Sequence, residues 1–167
     1  MSLVSEDKRK NVPAEDQILD IDLSVTRRKR FRIDGDSNRI LELNLSDMGI
    51  VSRLKDAYPK LVKLSQDATE EMATVSDDES DLQESLTKTA DVLDRIDKEM
   101  RSQIDYIFDS NVSELCVPSG SMYDPFNGKF RFEHILNIIT SLYESNLNDE
   151  YKKMTKRVQK HTSKYIK

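Results

Sequence analysis

One cysteine, no tryptophan, two histidines and four glycines among 167 residues leave little raw material for covalent, metal or phosphate chemistry. A lone Cys116 forms no intrachain disulfide, which suits a reducing compartment. Cys116, His134 and His161 supply neither a four-ligand zinc site nor an H-E-x-x-H motif. Gly35, Gly49, Gly120 and Gly128 are too dispersed for a phosphate-binding loop or a dinucleotide fingerprint. Asp34-Gly35-Asp36-Ser37-Asn38 lacks the remaining ligands and closing Glu of an EF-hand and reads better as a turn. Cys116 and His134 are the one conceivable nucleophile and base, but no spacing joins them and the flanking Glu114-Leu115 and Val117-Pro118 lack a papain-like context. The expectation is a protein without metal, cofactor or enzymatic activity. No run approaches the roughly 18–20 apolar residues of a membrane span, and residues 1–17 carry no apolar signal core. A soluble protein with no membrane partner is expected.

What the chain does have is charge, sorted into blocks. Charged residues make up 34% of the chain and hydrophobic ones 37%, below the roughly 45–50% apolar content of an average domain. Long surface helices or tails explain such a balance. Arg27, Arg28, Lys29 and Arg30, with Arg32 beyond, form a basic run. Residues 67–99 then hold twelve acids against Lys88, Arg95 and Lys98, whereas residues 151–167 carry seven cations, Lys153, Arg157 and Lys160 among them, and no acid. Such asymmetry marks either a nucleic-acid or partner surface, or acidic and basic helices that are simply solvated.

Periodicity divides the chain into four regions. Residues 1–17 read as a flexible arm. Residues 18–45 read as a hairpin region: Ile18-Leu19-Asp20-Ile21-Asp22-Leu23 is apolar enough to dock as an edge strand, and two alternating runs, Arg30-Phe31-Arg32-Ile33 and Arg39 to Leu45, flank the Asp-Gly turn at 34–35. Residues 46–147 read as a helical core. A helix capped by Ser46 or Asp47 starts near Met48 and is broken or kinked by Pro59, with a second piece carrying Leu61, Val62 and Leu64 before an acidic connection at 67–78. The longest helix follows, from about 76–80 with a Ser76/Glu79 capping pair to Phe108, along a seam of Leu82, Leu86, Thr89, Leu93, Ile96, Met100, Gln103 and Ile107. That heptad-like stripe serves either a partner helix or the domain's own core. The expected core is Leu54, Leu61, Leu86, Leu93, Ile96, Ile107, Ile135, Leu136 and Ile139. A helix over 130–147 and a separate basic helix over 148–167, with Tyr151, Met154, Val158, His161 and Tyr165 on one side, complete a mainly α fold with a small N-terminal β-hairpin.

Between the long helix and the Phe-led helix, residues 110–129 read as a loop with turns, rich in Pro, Gly and Asn. Its Met122, Tyr123 and Phe126, with Phe130 beyond, either fold onto the core or form an anchor cluster for a partner. The alternative surface is nucleic-acid contact through Arg27, Arg28, Lys29, Arg30, Lys153, Arg157 and Lys160, opposed by the acidic middle of the chain.

The order of elements and the phrases Leu45-Ser46-Asp47-Met48-Gly49-Ile50-Val51 and Gln103-Ile104-Asp105-Tyr106-Ile107-Phe108-Asp109 resemble the tail assembly chaperones of long-tailed bacteriophages. The resemblance covers residues 31–147. It implies a non-enzymatic protein, without a cofactor, that binds the tape-measure protein, keeps its helices soluble and recruits tail-tube subunits in the host cytoplasm. A homo-oligomer is compatible with it. The charged arm and the basic C-terminal helix depart from the simplest pattern and leave room for a virion component or a nucleic-acid-binding phage accessory protein.

Overall fold

The computed structural model describes residues 18–24, 28–75 and 79–163. The expected arm at 1–17, Arg27, the Ser76 cap and positions 164–167 lie outside the described residues. The chain is mainly helical behind one N-terminal hairpin, as its periodicity requires. Strands β1 (Lys29–Ile33) and β2 (Asp36–Leu43) pair antiparallel, with Phe31 opposite Leu41 and Lys29 opposite Leu43. Asp34 (φ 51°) and Gly35 (φ 73°) make the connection, both left-handed as the preferred two-residue hairpin turns demand. Residues 18–23 form no edge strand. Ile18, Leu19, Ile21 and Leu23 are exposed.

Helix α1 (Ile50–Ala73) continues unbroken through Pro59 and absorbs most of the expected acidic connection. Pro59 is exposed, so the carbonyl it leaves unpaired can meet water, while Ala57 and Leu61 on either side are fully buried and hold the helix to its neighbour. The helix begins two residues later than expected because Asp47 acts ahead of it. Its Oδ1 accepts from the Gly49 amide at 2.8 Å and its Oδ2 from Arg53 Nη2 at 2.6 Å.

Helix α2 (Leu82–Phe108) returns antiparallel to α1: Arg53 Nε, near the start of α1, donates to the Ile107 carbonyl at the end of α2 at 2.8 Å. The heptad-like stripe therefore faces its own chain. Thr89, Ile96, Met100 and Ile107 are buried as that stripe requires, but Ile104 replaces Gln103 on the buried side, and Leu86 is 45% exposed instead of core. A straight helix of 3.6 residues per turn drifts off a seven-residue repeat, which accounts for the shift to Ile104.

The expected loop contains structure of its own: the short helix α3 (Val112–Cys116), then β3 (Pro125–Phe126) and β4 (Lys129–Phe130) closed by Asn127 (φ 49°) and Gly128 (φ 75°). Helix α4 (Arg131–Thr162) is one continuous helix and the longest, longer than α2, with no break near 147–148. Nothing in residues 144–150 is a breaker, and the helix carries on after its packing stops: every described residue from 148 onward is exposed. The core gathers Leu41, Leu43 and Leu45 of the hairpin region, Leu61 of α1, Met100, Ile104 and Phe108 of α2, and Phe132, Leu136 and Tyr143 of α4.

Two outcomes test this packing. Leu61→Ala is expected to lower the free energy of unfolding by about 2–5 kcal/mol, and Leu86→Ala by less than about 1 kcal/mol, in urea titrations. Arg53 is the largest cause holding the Asp47 carboxyl below its ordinary value of 3.8, with partial burial opposing it and the Gly49 amide adding to it. A carboxyl depressed in the folded state contributes stability above its unfolded value and loses it as pH falls through the folded one. Asp47→Asn is thus expected to cost about 1–3 kcal/mol at pH 7 and to flatten the acid loss of stability below pH ~4, measured by urea unfolding across pH.

Candidate partner-binding surfaces

The segment after α2 is built from polar side chains of α2 itself. Asp97, Arg101 and Asp105 lie one helical turn apart on one face. Asp97 Oδ1 accepts from the Met122 amide at 2.7 Å, and its Oδ2 accepts from Arg101 Nε at 2.7 Å. Arg101 donates onward to the carbonyls of Ser113, Val117 and Gly120. Asp105 accepts from the amide and the hydroxyl of Ser113 at 2.7 and 2.8 Å. Peptide groups that would otherwise lie unpaired against the core are satisfied in this way.

This clamp decides the fate of the expected anchor cluster. Met122 is fully buried, so it belongs to the core and is withdrawn from any partner surface. Its carbonyl accepts from the Phe132 amide, and the Asp124 carbonyl from the Arg131 amide, so the segment caps the start of α4. The Glu133 carboxylate closes the same end by accepting from the Phe130 amide at 2.8 Å. Tyr123 and Phe130 are half-buried against the core, Phe130 stacking on Phe132 at 6.1 Å. Phe126 alone of the four stands out, 65% exposed beside the Asn127-Gly128 turn.

Phe126 is held rather than free. His134 Nε2 lies 2.7 Å from the Phe126 carbonyl, which can only accept, so that nitrogen carries the proton; the two rings meet edge to face at 5.9 Å. One turn along α4 from His134 is Ile138, itself 66% exposed. Ile138 lines an open apolar groove of about 370 Å³ between the hairpin and α4, with Phe31 and Ile33 on one wall and Ile135 and Leu142 on the other. Arg39 fixes the hairpin wall by donating to the Leu115 and Cys116 carbonyls. No local pattern signals this groove, because its walls come from segments about a hundred residues apart.

The basic residues separate into two groups. Arg28 donates to the Asp109 carbonyl and carboxylate, Lys29 to Asn146 Oδ1, and Arg30 pairs with Glu42. These cations of the N-terminal run are employed within the fold. On the distal part of α4, Lys153 pairs with Glu150 of the preceding turn, and Lys152, Lys156, Arg157 and Lys160 make no ion pair among the described residues. The Cys116 thiol is pushed up, chiefly by burial, which disfavours the thiolate a nucleophile needs. Among the described residues no group of three His, Cys, Asp or Glu side chains is placed to hold a metal ion, and no helix is long and apolar enough to cross a membrane.

Met122→Ala is expected to lower stability by about 2–5 kcal/mol, whereas Phe126→Ala changes it by less than about 1 kcal/mol, as read by thermal and urea unfolding. Comparisons with protein-family models, with curated proteins and with solved structures gave no match for this chain.

Proposed function

We propose that the protein is a non-enzymatic binding protein, and that the groove between the hairpin and α4, with Phe126 at its margin, receives an apolar segment of a protein partner. One observation carries the reading: Phe126 and Ile138 are large apolar side chains left exposed on the same side of α4, one fixed by His134 and the other beside an open apolar groove. A rigid apolar anchor next to a preformed groove loses little conformational entropy on binding and contributes most of its buried area to affinity. In its finer form the reading is a phage tail assembly chaperone in the host cytoplasm. Its partners are then the tape-measure protein and tail-tube subunits, as the sequence resemblance implies.

A second reading draws on a separate feature. The distal part of α4 presents Lys152, Lys153, Lys156, Arg157 and Lys160 with no acid from Tyr151 to Ser163, a charge pattern that also suits nucleic-acid phosphates. The twelve acids of residues 67–99 weigh against it.

Salt separates the two. With a helical tape-measure fragment encoded in the same genome, the complex is expected to survive 0.5 M salt, and Phe126→Ala with Ile138→Ser to weaken it about thirtyfold or more, measured by calorimetry or by the soluble fraction on co-expression. Unchanged binding by that double variant overturns the groove reading. Tight binding of duplex or single-stranded probes that collapses with salt favours the second.

A further inference from the structure

Helix α4 does two different things along its length. Up to Leu147 one side is packed into the body. From Asn148 to Ser163 every residue is exposed, yet Tyr151, Met154 and Val158 recur at helical spacing and are 72%, 57% and 59% exposed. These three form an apolar stripe flanked by five cations, on a stretch of helix that no other described residue covers.

The opposite end of the molecule carries the complementary surface. Beyond Ala68 and Thr89, the last buried positions toward the α1–α2 connection among the described residues, the seam between α1 and α2 continues in sequence but is only partly covered. Met72, four residues after Ala68, is 57% exposed, and Leu86, three before Thr89, is 45% exposed. The same end of the two helices carries Glu70, Glu71, Glu79, Asp81 and Glu84. Lys88 is the local cation, and it already pairs with Glu84 at 2.7 Å.

We propose that the distal part of α4 docks on the α1–α2 tip of a second copy of this chain. Tyr151, Met154 and Val158 cover Met72 and Leu86, and the lysines face the acids. The contact cannot close within one molecule. Helix α4 meets α2 at Phe108, whose ring lies 6.0 Å from that of Tyr143, and Leu86 is about 33 Å further along α2 at 1.5 Å per residue. A continuous helix leaving from Tyr143 does not turn back to it. Because tail and tip are different surfaces, the association is head-to-tail, so each copy can both give a tail and receive one, and a ring or a filament follows. The groove proposed for the partner is a separate surface and takes no part.

Sedimentation velocity of the full chain between about 10 and 200 µM tests this directly. The wild-type chain is expected to associate at 50 mM salt and to do so about tenfold or more weakly at 500 mM, where surface charges are screened. A tail variant (Lys156→Glu, Arg157→Glu, Lys160→Glu) and a tip variant (Glu70→Lys, Glu79→Lys, Glu84→Lys) are each expected to sediment as monomers with unchanged circular dichroism. Their equimolar mixture should associate again, because mixing restores opposite charges at both kinds of contact. Continued self-association of the tip variant points to tail-to-tail pairing and overturns the proposal. So does a mixture that stays monomeric, or a wild-type chain that is monomeric throughout, in which case the basic face is left to nucleic acid.

Discussion

The structure turns on three polar residues of α2. Asp97, Arg101 and Asp105 take up the backbone amides and carbonyls of residues 113–122, and that is what allows a glycine- and proline-bearing segment to lie against an apolar core. A buried peptide group without a partner costs about as much as a lost hydrogen bond, so the segment could not settle there unassisted. Once it does, Met122 enters the core, the carbonyls of Met122 and Asp124 meet the first amides of α4, and the direction of the longest helix is set.

Arginine does comparable work at the carbonyl end of α2. Its last turn holds no basic residue of its own. Arg53 of α1 reaches Ile107, and Arg28, just before β1, reaches Asp109. Guanidinium groups near unpaired carbonyls at a helix C-terminus are favoured both by hydrogen bonding and by the helix dipole. They also tie the hairpin and α1 to α2, while Arg39 ties the hairpin to the end of α3. The hairpin wall of the apolar groove is thus braced by charge-assisted bonds, leaving its apolar side chains for contact rather than for support.

Around that braced body the molecule extends in two directions. The α1–α2 tip is acidic and packs on Ser65, Ala68 and Thr89, small or polar side chains that bury little area. The distal part of α4 is basic and packs on none of the described residues. Apolar side chains remain exposed at both ends, one set bordered mainly by acids and the other by cations. This keeps both surfaces solvated while limiting which surfaces can cover them.

Local pattern was enough for the sequence to specify the elements. The Asp-Gly turn between alternating runs dictates the hairpin, and the apolar spacing of residues 82–108 dictates α2, because both depend only on neighbours in sequence. Buried faces were legible for Leu61 of α1, Ile96 and Ile107 of α2, and Ile135, Leu136 and Ile139 of α4. Tertiary structure decided the rest. Pro59 is tolerated because Ala57 and Leu61 are held on both sides of it, and Leu86 is exposed because α1 and the core only partly cover the seam there. Met122 is buried and Phe126 is not because the α2 clamp reaches only as far as residue 122, and the groove exists because a hairpin near residue 33 meets a helix near residue 138. Such outcomes depend on which distant groups satisfy a backbone or cover a side chain, and no periodicity within a single segment encodes them.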